Sequence, residues 1–142
     1  MEQYLKEIVD YGVLGLLGFL SVVMLWAAVE RLLFFHYVKL QLYKNRKELE
    51  IDLSKRLTII ATIGSNAPYV GLLGTVFGIM MTFLEIGQSG VADSNSIMTG
   101  LALALKATAL GLLVAIPSVV FYNLLVRKSE VLLAEWDILH DA

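Results

Sequence analysis

Inside its long apolar runs the sequence offers hydroxyls and almost nothing that titrates. Thr75 and Thr82 share one face of a helix, with Ser65 roughly 80° around from Thr75 at 3.6 residues per turn. Thr108 and Ser118 are also about 80° apart by the same geometry, and Asn123 stands near the end of its run. Such hydroxyls have two uses in an apolar medium. They can give a lumen a polar lining, or they can bond the carbonyl one turn back and tie helices together. Both readings stay open on the sequence alone. No Asp or Glu lies in the middle of a run, and threonine does not ionise near neutral pH. If protons pass here, a second polypeptide must bring the carboxylate that carries them.

Charges gather at the edges of the runs. Glu30 and Arg31 stand near the end of the first, where snorkelling is expected to lower their cost, and Glu85 stands near the end of the second. Lys106 is the unusual cation, about 14 Å along the third run from Ile97 and roughly 200° around the helix from Thr108. If Thr108 faces a lumen, Lys106 faces away from it, as a lipid anchor or the partner of a carboxylate. There is no cysteine, so disulfides and thiolate metal sites are excluded. His36 and His140 are too far apart in sequence to suggest a shared site, and no metal or cofactor is expected. No combination of nucleophile, base and oxyanion donors is recognisable, so an enzyme is not expected. The formal net charge of −2 argues against nucleic acid as a partner.

The elements that must carry these residues are three membrane-spanning helices. Of the 142 residues 58% are hydrophobic and only 17% charged, far from the balance of a soluble domain. Residues 11–35 would form a helix about 37 Å long, enough to cross a hydrocarbon core of about 30 Å. Residues 59–86 and 97–126 give roughly 42 and 45 Å, so both should project into water at one end. The acids and lysine of residues 1–10 do not resemble a cleavable signal, and the chain is read as mature from Met1, one domain over 1–142.

Orientation follows from the basic residues, which are held on the cytoplasmic side. Lys39, Lys44, Arg46, Lys47, Lys55 and Arg56 lie between the first and second spans, and Arg127 with Lys128 closes the third. The segment 87–96 has no Lys or Arg and reads as a short turn outside. The expected topology is N-terminus out and C-terminus in, with the basic loop and tail fixing orientation and binding anionic lipid. The cytoplasmic loop 37–57 has Leu40, Tyr43, Lys47 and Glu50 at helical spacing, predicting an amphipathic helix that continues the first span. The tail beyond Arg127 carries Val131, Leu132, Ala134, Glu135, Ile138 and Leu139 at similar spacing and should pack against that loop.

Small residues mark where helices come together. Gly71, Gly74 and Gly78 with Thr75 make a close-packing surface on the second span. The third span answers with Gly100, Ala104 and Thr108 on one row and Ala107, Gly111 and Ala115 on another. These helices should pack on each other or on neighbouring copies. Pro68 and Pro117 each remove a backbone donor, which predicts a kink or a locally hydrated backbone.

The run Ala67-Pro68-Tyr69-Val70-Gly71-Leu72-Leu73-Gly74-Thr75-Val76-Phe77-Gly78-Ile79-Met80 resembles the signature of the ExbB/TolQ/MotA proton-channel family. The segment from Gly100 to Pro117, which contains Ala107-Thr108-Ala109-Leu110-Gly111, is similar to that family's third helix. The resemblance covers nearly the whole chain. It implies an all-α inner-membrane protein with a periplasmic N-terminus and a cytoplasmic C-terminus. Five copies would surround the spans of a partner like ExbD, a single-span protein whose membrane aspartate binds the proton. It places Thr75 and Thr108 in the pore lining near that aspartate. In ExbB-type systems the proton motive force then drives movement that TonB passes to outer-membrane receptors. Lack of a fourth span and a long cytoplasmic domain counts against a flagellar stator. The compact loop and short tail favour ExbB over TolQ, whose envelope-maintenance role is the alternative, as is a non-conducting scaffold. The resemblance breaks at Leu103, where many relatives carry glutamate, and it gives no guide to Lys106.

Overall fold

The computed structural model of the chain describes residues 2–90 and 93–141. Four α-helices form it, α1 over Glu2–Tyr37, α2 over Arg46–Ser54, α3 over Leu57–Ser89 and α4 over Ser94–His140. The architecture is all-helical, and three helices are long and apolar enough to cross a membrane. At 1.5 Å per residue α4 is about 70 Å long, roughly 40 Å more than a hydrocarbon core requires. The third span and the tail are therefore one unbroken helix.

Helix ends carry recognisable signals. Asn45 accepts a bond from the Lys47 amide at 2.9 Å and caps α2. Asp93 caps α4 by accepting from the Asn95 amide at 3.3 Å and from the Ser96 hydroxyl at 3.1 Å. Gly90 closes α3 in the left-handed region at φ 71°, its amide donating to the Ile86 carbonyl. The turn between α3 and α4 is thus shorter than residues 87–96: Gly87 to Ser89 are still helical, and Ser94 already begins α4. Val91 and Ala92 lie outside the described residues.

The predicted continuation of the first span through the basic loop is not what forms. α1 ends at Tyr37, Lys39 is extended, a single 3-10 turn covers Leu40–Leu42, and the chain turns back into α2. The reason is burial. A helix running on from Tyr37 would carry Leu49 and Leu53 away from the bundle, whereas the returning α2 buries both completely, each worth about 1.5–3 kcal/mol. The tail packs on this returning segment, as its periodicity predicts. Trp136 donates its indole N–H to the Tyr43 carbonyl at 2.9 Å, and Arg46 pairs with Asp137 at 3.1 Å.

The three long helices run up, down and up. Lys6 of α1 meets Glu85 of α3 at 3.8 Å at one end, and Glu30 of α1 meets Arg56, the residue just before α3, at 3.0 Å at the other. α1 and α4 are consequently parallel, with α3 antiparallel to both. The core runs the length of this packing from Leu17, Met24 and Ala28 down to Leu53, Leu125 and Trp136.

Candidate functional site

The α3–α4 seam is built from atoms too close for larger side chains. A methyl on Gly71 would sit 2.6 Å from the Ala107 carbonyl oxygen and 3.1 Å from the Gly111 Cα. One on Gly111 would sit 2.7 Å from the Ala67 carbonyl oxygen, so the two glycines face each other backbone to backbone. Outward along the same register Gly78 abuts Ala104, and Gly100 lies under Thr82. Gly74 meets both Ala107 and the side chain of Val13 on α1. The small-residue rows therefore meet within one chain, and their closeness lets hydroxyls reach across.

Thr75 and Thr108 do so. Their hydroxyl oxygens are hydrogen-bonded to each other, and Thr75 also donates to the Ala104 carbonyl at 2.8 Å, with the Gly71 carbonyl 3.3 Å away. A hydroxyl has one proton and two lone pairs. With the Thr75 proton directed to a carbonyl, Thr108 must donate to Thr75, which leaves the Thr108 oxygen as an acceptor. Thr75 is buried at 7% exposure while Thr108 is half-buried, so Thr108 is the member still open to an incoming donor. Thr82 and Ser118 behave differently. Each is buried and bonds the carbonyl one turn back, Gly78 at 2.9 Å and Val114 at 2.7 Å. Ser65 is exposed and bonds the Thr62 carbonyl.

The profile of the MotA/TolQ/ExbB proton channel family matches residues 34–138. The chain belongs to that family. It is 60% identical over 136 residues to an ExbB-like biopolymer transport protein of Helicobacter pylori, covering 96% of this chain and 91% of that one. It is 54% identical over 140 residues to the biopolymer transport protein ExbB of Aquifex aeolicus, covering 99% and 95%. A biopolymer transport protein ExbB of Helicobacter pylori is 55% identical over 128 residues, covering 90% and 88%. With three membrane-capable helices, this member of the MotA/TolQ/ExbB family is a multi-pass membrane protein.

The remaining residues singled out in this family member lie around the seam. Pro68 and Pro117 sit inside α3 and α4, which continue through them, and each leaves the carbonyl one turn back, of Gly64 and Leu113, without its helical donor. Lys106 is exposed and, among the described residues, forms no ion pair. Leu103 lines a groove of about 770 Å³ between the start of α1, the C-terminal part of α3 and the N-terminal part of α4. Lys6, Glu7, Asp10 and Glu85 line it too, above a floor that includes Gly74, Gly78 and Ala104. No metal-ligating cluster is found among the described residues.

Sequence reasoning missed a charged cluster where α1 meets α2 and α3. Arg31 is 2% exposed, so it does not snorkel. Its guanidinium donates to both carboxylate oxygens of Glu30 at 2.6 Å, and it lies 4.4 Å from the centre of the Phe34 ring. Glu30 is shared with Arg56, whose guanidinium stacks 5.3 Å over Trp26. Arg56 holds a left-handed φ of 67°, a conformation costing about 1–2 kcal/mol outside glycine. The adjacent opposite charges of Glu30 and Arg31 are the available signal, but part of their cover comes from α2, whose Asp52 carbonyl accepts from Arg31 only because the loop folds back.

Proposed function

We propose that the chain is the multi-copy membrane subunit of an ExbB-type motor in the bacterial inner membrane. In this reading one domain over 1–142 has its N-terminus in the periplasm and its C-terminus in the cytoplasm. Five copies enclose the spans of an ExbD-like partner, and proton flow moves a TonB-like protein that energises transport across the outer membrane. The observation that carries it is the Thr75–Thr108 pair. It stands in a stretch of α3 and α4 free of Asp, Glu and His, and its donor order leaves Thr108 able to accept the proton of a partner's protonated carboxyl. Support for the ExbB branch comes from the names of relatives aligned over nearly their full lengths.

Replacing either threonine by valine keeps the shape of the side chain and removes the hydroxyl. Thr75→Val and Thr108→Val, each co-expressed with the partner, should leave the mixed complex intact. Energised uptake should fall about ten- to a hundredfold, the value of a hydrogen bond to a charged or charge-exchanging group. Growth on chelated iron reads the output. Full uptake in both variants would remove the pore role of the pair, and loss of the complex would assign the hydroxyls to packing alone.

A further inference from the structure

At the end of the bundle opposite Lys6 and Glu85, α1 and α4 line another groove of about 570 Å³. Phe35 and Leu125 are buried, at 4% and 1% exposure, while Leu32 and Leu124 remain half or more exposed. These four, with Phe121, supply apolar walls. The groove's polar members are His36 and Lys128. Because α1 and α4 are parallel, both lie at the C-terminal end of the groove, where the apolar runs give way to charge. From Phe121 to Lys128 the groove follows α4 for about 10 Å at 1.5 Å per residue.

We propose that this groove seats one anionic phospholipid, its acyl chain along Leu32, Phe121 and Leu124 and its phosphate on Lys128 and His36. Charge selects the ligand. Lys128 has no carboxylate partner among the described residues, whereas neighbouring Arg127 is already 3.9 Å from Glu130. No Asp or Glu lines the groove, so the ammonium of a zwitterionic headgroup would find no counter-charge there. A single negative headgroup meets the lysine ammonium and an imidazole donor while its chain covers the exposed leucines. The site is independent of the motor reading, since it involves neither threonine.

Native mass spectrometry of the full complex, released from nanodiscs of equal phosphatidylglycerol and phosphatidylethanolamine with matched chains, tests this. Phosphatidylglycerol should be retained about tenfold over phosphatidylethanolamine, as one charge-assisted hydrogen bond predicts. Lys128→Gln should abolish the preference, and Arg127→Gln, outside the groove, should preserve it. Leu124→Trp, filling the groove, should lower retention of both lipids. Equal retention in the unaltered complex, or a preference that survives Lys128→Gln, would overturn the site. So would a photo-crosslinker at position 124 that captures a neighbouring copy or a partner protein in place of lipid. The readout is lipid retention with the complex intact, so its failure is separable from any failure of energised uptake.

Discussion

At the scale of single residues, what matters is where each polar atom finds its partner. Arg31 bonds Glu30 and also the Asp52 carbonyl of α2, so its removal strips the cover from Glu30 and frees the returning helix. Arg31→Met should cost on the order of 3 kcal/mol, the range for breaking a buried pair, read as a lower unfolding midpoint in detergent. Adding Glu30→Gln should recover part of that loss, because the stranded charge is gone and Arg56, about a quarter exposed, can turn to water. Tyr43 offers a pH test outside the spans. Its hydroxyl donates to Asp52 at 2.6 Å, and this bond, then burial, then the aspartate's charge push its pKa up to about 12. The folded state holds the proton longer than the unfolded one, so the contribution is fully present below about pH 10 and is lost as pH rises towards 12. Ultraviolet titration should show one late-ionising tyrosine that disappears in Tyr43→Phe. The two threonines were singled out together by the resemblance, since spacing alone related Thr75 to Thr82 and Thr108 to Ser118. The direction of donation between them was not legible, because that depends on the Ala104 carbonyl across the seam.

At the scale of elements, glycines divide by what surrounds them. Gly71→Ala forces a methyl against the Ala107 carbonyl and the opposing backbone, which cannot yield as a side chain can. It should cost about 1–3 kcal/mol and part α3 from α4. Gly15, also within a helix, has nothing within 4 Å of its added methyl, so Gly15→Ala should stabilise by about 0.5–1 kcal/mol through helix propensity. Thermal unfolding of the two variants in one detergent should move in opposite directions. The three spans and the small-residue rows were legible because each repeats along a single helix. The break after Tyr37 was not legible, because Leu40, Tyr43, Lys47 and Glu50 keep helical spacing across it. The break forms because tertiary burial of Leu49 and Leu53 outweighs continuation.

At the scale of the whole molecule, only 22%, 22% and 28% of the most apolar windows of the three spans are buried within one chain. The rest must face lipid or other chains, and exposed Leu72, Val76, Phe77 and Met80 on α3 with Leu105, Leu112 and Ile116 on α4 are the surfaces available. Native mass spectrometry of the chain co-expressed with a single-span, aspartate-bearing partner should find a mixed complex with more copies of this chain than of the partner. A homomeric assembly that ignores the partner would leave the threonine pair with no carboxyl to serve. Membrane class, the three spans, the charge asymmetry and the close-packing stripes are readable without coordinates, since each is written in composition or in the period of one helix. Which hydroxyl faces which carbonyl, the burial of Arg31 and the folding back of the basic loop emerge only when the helices pack. Those outcomes rest on pairs distant along the chain, Arg31 with Asp52, Tyr43 with Trp136 and Gly71 with Gly111, whose energies arise only when separate helices meet.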